Sequence, residues 1–176
     1  MGPADAPVTL VEFLDPECES CGAFGPVVKK IMKDYAGKVR LVVRYMPFHP
    51  NSRLAASYTE AAGEQGKYWE MQEMLFRRQP EWGEIHSHGT QVAAAAARRE
   101  PAPVLFDRYA AELGLDVERV RAAVAGNRYV SKVERDMKDG QSLGVTKTPS
   151  FFVNGRMLMR FGEAPLRALI EEELRK

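Results

Sequence analysis

The sequence has almost no excess of either charge: 25 lysines and arginines face 24 aspartates and glutamates, a formal net charge of +1. Proteins that bind nucleic acid or anionic lipid through their field concentrate one sign of charge, so neither partner is expected here. Long hydrophobic runs are missing too. A membrane-crossing helix needs roughly 18–20 apolar residues, and the nearest approach, Val92 to Ala97, is a short alanine-rich helix segment. No membrane insertion is expected. The start, MGPADAP, has neither the basic n-region nor the apolar h-region of an export signal. Two compartments stay open, the cytosol or the cell envelope after removal of a leader, and the Met-Gly-Pro start fits a chain that begins after such a leader.

Cysteine is scarce, with two residues, Cys18 and Cys21, three positions apart. A structural disulfide framework uses more cysteines and closes longer loops, and so short a loop removes little entropy from the unfolded chain. Nor does the chain need stapling, since about 176 residues bury roughly 70% of the unfolded chain's surface. Metal ligands are also few. A structural zinc site takes four, there is no second CxxC, and the other candidates are His49, His86 and His88. His86-Ser87-His88 reads as a polar loop with no reason to face Cys18, so no metal or other cofactor is expected. Redox chemistry is the better account of the pair.

The pattern along the chain places that pair. Val8 to Leu14 is apolar and β-branched with one internal acid and reads as a buried strand, ended by Asp15-Pro16. Phe24, Val27, Val28, Ile31, Met32 and Tyr35 then recur at helical spacing up to Gly37. Val39 to Met46 reads as a second strand ended by Pro47, which completes a right-handed βαβ unit. From Ser52 to Leu143 the reading is helical, over Ser52–Glu64, Lys67–Arg78, Thr90–Arg99, Ala102–Leu113, Asp116–Ala125 and Arg128–Leu143, with Asp116 as an N-cap. Phe151–Val153, Asn154-Gly155 and Arg156–Arg160 read as a hairpin with a type I′ turn. A last amphipathic helix covers Glu163 to Leu174. One sheet assembled from both chain ends, with helices inserted between them, is the expected α/β architecture.

Cys18-Glu19-Ser20-Cys21 therefore sits where the first strand hands over to the first helix. The free N–H groups and positive dipole end of a helix N-terminus stabilise a thiolate, the attacking species in disulfide exchange. Cys18, at the exposed edge, is expected to attack, and Cys21, one turn further in, to resolve the mixed disulfide. Thr148-Pro149 stands directly before the second sheet segment. Its plain role is a turn; its sharper role is a cis proline whose preceding backbone pairs with an extended substrate. Tyr68, Trp69 and Phe76 read as core. The methionines read as adaptable packing, some able to line a peptide groove, and His49-Pro50-Asn51 reads as a loop and N-cap.

VEFLDPECESC, RYMPFHPNS and GVTKTPSFFVNG, in that order, resemble the DsbA-like branch of the thioredoxin superfamily, and the resemblance spans Pro7 to Leu174. It implies an α/β thioredoxin fold (βαβ … ββα) at residues 7–50 and 144–176, with an inserted helical domain at 51–143. It also implies disulfide exchange with extended or unfolded cysteine-containing proteins, in the periplasm or cell envelope, together with an unidentified redox partner. No dimerisation segment is visible, and a monomer is expected. Glu12 matches a buried acid found in this family beneath the second cysteine; buried, its pKa would rise and it could shuttle the Cys21 proton. The plainer reading of Glu12 is a partner for Arg44 on the adjacent strand.

The strongest family oxidases carry proline and histidine between the cysteines, where this chain has Glu19 and Ser20. Asp15, Glu17 and Glu19 crowd the approach to Cys18, and negative charge disfavours a thiolate. A milder oxidant, or a reductase or isomerase partner, is the resulting expectation. Three other classes stay open: an envelope protein binding copper(I) or zinc through the two thiolates, a glutathione-dependent enzyme on the same fold, and a chaperone-like binding module without turnover.

Overall fold

Val8–Leu14 forms strand β1, the centre of the sheet, and the structure, a computed structural model, describes residues 1–84 and 99–176. His86, His88 and all but the last residue of the helix expected over Thr90–Arg99 lie outside the described residues. Helix α1 (Glu19–Asp34) leads from β1 to β2 (Val39–Tyr45), which runs parallel to β1 in the register Val8↔Val39 to Leu14↔Tyr45. Gly37, at φ 78°, makes the turn between them, a conformation that costs a residue with a Cβ. On the other side of β1, β3 (Ser150–Val153) runs antiparallel, with Ser150 opposite Phe13, and β4 (Arg156–Met157) closes the order β2-β1-β3-β4.

This arrangement positions the site. Because β1 and β3 are antiparallel, the chain leaving β1 toward the cysteines lies beside the chain entering β3 from Thr148-Pro149. The hairpin turn has Asn154 at φ 47° and Gly155 at φ 82°, the type I′ geometry read from Asn-Gly. Strand β4 is shorter than the expected Arg156–Arg160. Its last ladder bond is Leu158 N–H to the Phe151 carbonyl at 2.8 Å. Beyond it the pairing would reach Pro149, which has no N–H to give, and the chain leaves the sheet with Met159 and Phe161 exposed.

Alternation along β1 puts Val8, Leu10, Glu12 and Leu14 on one face. Val8 and Leu10 pack there with Val28, Ile31 and Met32 of α1 and with Leu166 and Ile170 of α8 (Glu163–Leu174). The opposite face carries Phe13, Phe152 and Met46, covered by α7 (Val130–Ser142). Gly140 lets α7 approach closely: a Cβ there would stand 3.0 Å from both Met46 Sδ and the Phe13 ring. Between the sheet segments run α2 (Ser52–Gly63), α3 (Tyr68–Arg77), α4 (Gln79–Trp82), α5 (Ala102–Glu112) and α6 (Val117–Ala125), around a core that includes Tyr58, Trp82, Phe106 and Tyr109.

Asp116 caps α6 as expected, its carboxylate accepting the Arg119 N–H at 3.0 Å. Helix α4 is absent from the sequence reading, where Pro80 counts as a break. At the first turn of a helix proline is tolerated, because the N–H it lacks would have no helical partner. Helix α7 starts at Val130, two residues later than expected, after Asn127 at φ 52°. No helix among the described residues is long and apolar enough to cross a membrane.

Candidate active site

Cys18 is the N-cap of α1, with extended backbone, and no side chain caps the helix there. The first-turn N–H groups are thus left to the sulfur. Cys18 is partly exposed and Cys21 is fully buried, and both are free thiols. Cys18 Sγ lies 3.5 Å from the Thr148 carbonyl oxygen, and the Thr148–Pro149 peptide bond is cis. The Cys18 thiol is pulled down to about 5, first by the hydrogen bond from the Cys21 thiol and further by Thr148 and by the Cys21 and Ser20 N–H groups; burial works against this. Cys21 is driven the other way, by burial first and by Cys18 second. The two thiols are thereby separated into one that ionises readily and one that holds its proton.

Glu12 is buried on the face of β1 that also carries Leu14, which packs against Cys21. Burial raises its carboxyl to about 8, and its charge is felt at Cys21. A cavity of about 530 Å³ runs from Glu12 past Gly22 and Gly25 to the exposed Lys29, Glu73 and Arg77. The alternative reading of Glu12 as a partner for Arg44 is wrong. Glu12 is opposite Val43 in the register, so Arg44, one residue on, projects from the other face. There Arg44 pairs with Asp136 and Asp139 of α7.

The acidic residues before Cys18 also behave differently from expectation. Asp15 and Glu17 are buried and bound, not crowded loosely around the sulfur. The Asp15 carboxylate accepts from Glu17 N at 2.9 Å, Phe48 N at 2.7 Å, His49 N at 3.2 Å, His49 Nδ1 at 2.6 Å and the Ser52 hydroxyl. Glu17 accepts from Asn51 N at 2.6 Å, Asn51 Nδ2 at 3.1 Å and Glu84 N at 2.8 Å. Only Glu19 is exposed. The net effect on Cys18 is opposite to a raised pKa, because hydrogen bonds at the helix start outweigh carboxylates whose oxygens are occupied elsewhere.

Asn51 likewise is no side-chain cap for α2. Its amide donates to Glu17 and, at 3.2 Å, to the Trp82 carbonyl. Gln79, unremarked in the sequence, donates to the carbonyls of Pro16 at 2.9 Å and Cys18 at 3.1 Å, bracing the turn that carries the thiol. Among the described residues no group of three or more histidine, cysteine or acidic side chains is arranged to hold a metal.

Residues 1–172 match the family model described as Thioredoxin. A Na(+)/H(+) antiporter NhaA 3 of Salinispora tropica is 39% identical over 158 residues, 88% of this chain and 21% of that protein. The NhaA of Herminiimonas arsenicoxydans is 36% identical over 157 residues, 89% and 22% respectively. The chain thus spans about a fifth of the length of the curated relatives it matches. Among solved structures, oxidised BdbD of Bacillus subtilis superposes with a TM-score of 0.82 at 28% identity, covering 100% of this chain and 92% of that one. A thioredoxin-like oxidoreductase of Silicibacter pomeroyi follows at 0.76 and 25%, covering 100% and 91%. DsbA of Xylella fastidiosa, at 0.74 and 18% over 99% and 90%, shares the fold. On its matched residues the chain belongs to the thioredoxin family, and it shares the fold of the DsbA structure.

Proposed function

We propose that the protein is a thiol:disulfide oxidoreductase that exchanges disulfides with cysteine-containing protein substrates through Cys18 and Cys21. The observation that carries this reading is the pair itself: a partly exposed thiol at a helix N-terminus, 3.5 Å from the Thr148 carbonyl before a cis proline, backed one turn on by a buried thiol. In the oxidising direction a substrate thiolate attacks Cys18 of the Cys18–Cys21 disulfide. Cys21 leaves with the electron pair and takes a proton from Glu12. A second substrate thiolate then attacks the substrate sulfur of the mixed disulfide, and Cys18 leaves as its stable thiolate. Reduction is the same path reversed, with Glu12 accepting the Cys21 proton. An extended substrate laid along Thr148-Pro149 brings its cysteine to Cys18, since the Thr148 carbonyl is 3.5 Å from that sulfur.

Disulfide-bond formation or exchange in the cell envelope is the setting this chemistry suits, because disulfides persist in oxidising compartments. A Cys18 pKa of about 5 falls between the roughly 3.5 of the strongest oxidant of this fold and the roughly 7 of its reductant. That supports an oxidant milder than the strongest, for a reason other than acidic crowding. The test is insulin reduction with two variants. Cys18→Ser abolishes turnover, whereas Cys21→Ser accumulates mixed disulfides visible by non-reducing electrophoresis. Full activity in Cys18→Ser would remove the attacker from the mechanism.

A further inference from the structure

The loop after β2 carries a histidine that the chemistry above leaves unused. Strands β1 and β2 are parallel and in register to Leu14↔Tyr45, so the segments that follow them leave the sheet side by side. One segment holds Asp15 to Cys18, the other Phe48 to Ser52. Asp15, with no exposed surface, ties the two together. Its backbone carbonyl accepts the Cys18 N–H at 3.1 Å, closing the turn on which the thiol sits. Its carboxylate accepts His49 Nδ1 at 2.6 Å. One residue therefore anchors both the backbone of the thiol and the imidazole ring.

The carboxylate accepts, so His49 Nδ1 carries the hydrogen and the ring orientation is set. The Phe48 N–H, at 2.7 Å from the same oxygen, and Ser52 fix the loop around it. Among the described residues, Asp15, Glu17 and Cys18 act on the charge of His49. Burial works against the charged ring, and these three together outweigh it, moving its pKa up. Coupling between two sites is reciprocal: a thiolate that favours the imidazolium is favoured by it to the same extent.

We propose that His49, held by Asp15, acts as an imidazolium that stabilises the Cys18 thiolate, supplying from the loop after β2 the positive charge that Glu19-Ser20 does not. It is a positioning residue, working through the field at the sulfur. In the last oxidising step the bond between Cys18 Sγ and the substrate sulfur breaks, and Cys18 keeps the electron pair beside His49. No proton moves and no further reactant is needed. The inference rests on the disulfide-exchange reading for its functional meaning, but its test does not use turnover.

The test is the titration of the reduced protein followed by thiolate absorbance, in wild type, His49→Asn and His49→Lys. Asparagine keeps a neutral donor near the Nδ1 position and removes the charge; lysine restores a charge. The Cys18 midpoint is expected to rise by about half a pH unit or more in His49→Asn and to return toward wild type in His49→Lys. In the complementary measurement, NMR titration of His49 is expected to show a lower pKa in Cys18→Ser than in reduced wild type. An unchanged Cys18 midpoint in a His49→Asn variant that melts like wild type would overturn the proposal. So would an identical His49 titration in Cys18→Ser, which also decides the matter if His49→Asn does not fold. Absence of insulin reduction with this coupling intact would count against the disulfide-exchange reading alone; normal turnover without the coupling would count against His49 alone.

Discussion

Replacing Glu12 with glutamine should make the protein more stable, and only above about pH 5. The carboxyl is buried, and burial lifts its pKa from the ordinary 4.5 to about 8. A group that ionises less readily in the folded state contributes its full stability below the unfolded value of 4.5. That contribution is lost as pH rises toward 8, because the unfolded chain releases a proton that the folded one retains. At about 1.4 kcal/mol per pH unit, the loss approaches roughly 5 kcal/mol above pH 8 and is already about 3 kcal/mol at pH 7. Glutamine cannot ionise and fills the same volume beside the cavity, so Glu12→Gln escapes the loss. Urea unfolding of the reduced proteins at pH 4 and pH 7.5 reads the difference, and contributions from Cys18 cancel between the two. The excess stability of the variant should be small at pH 4 and about 4 kcal/mol at pH 7.5. The same excess at both pH values would refute the raised pKa, and with it the argument that Glu12 is a proton-holding acid beneath Cys21. Insulin reduction by the variant should fall by about tenfold or more, since the Cys21 proton loses its acceptor.

Redox titration against glutathione should place the Cys18–Cys21 couple between about −270 mV and about −120 mV, the thioredoxin and strongest-oxidase ends of the fold. A value at the upper end would contradict the milder oxidant inferred from a Cys18 pKa of about 5. Gly140→Ala should destabilise by about 1–3 kcal/mol in chemical denaturation, because the new methyl meets Met46 Sδ and the Phe13 ring at 3.0 Å, where α7 lies against the sheet. Wild-type stability there would mean that α7 can move away without cost.

What the sequence made legible was carried by local chemistry. The strand-to-helix position of Cys18, the Asp116 cap and the Asn154-Gly155 turn each follow from a few adjacent residues, and the structure has them where those residues put them. Pro80 shows the limit of such reading: the same residue ends a helix at one position and starts one at another. The partner of Glu12 turns on strand register. Arg44 lies on the strand next to Glu12, yet a displacement by one residue puts it on the other face of the sheet, with Asp136 and Asp139.

The sign of the charge effect at Cys18 was illegible for a different reason. Three acids within a few residues of a thiol read as repulsion, because a sequence lists charges without saying where their lone pairs point. In the fold, Asp15 and Glu17 direct their oxygens into the loop at Phe48 to Ser52, more than thirty residues away in the chain. Parallel register is what brings that loop alongside, and it supplies most of the donors that buried carboxylates require. Asp15, read from the sequence as opposing the thiolate, instead holds the His49 ring. On the proposed coupling its negative charge acts on Cys18 through the imidazolium, which is why Asp15→Asn is expected to weaken the thiolate and not to strengthen it. Removing the carboxylate takes away the group that accepts from His49 Nδ1, lowers the share of charged imidazole, and raises the Cys18 midpoint in the same thiolate titration. A lower midpoint in Asp15→Asn would show that direct repulsion dominates after all.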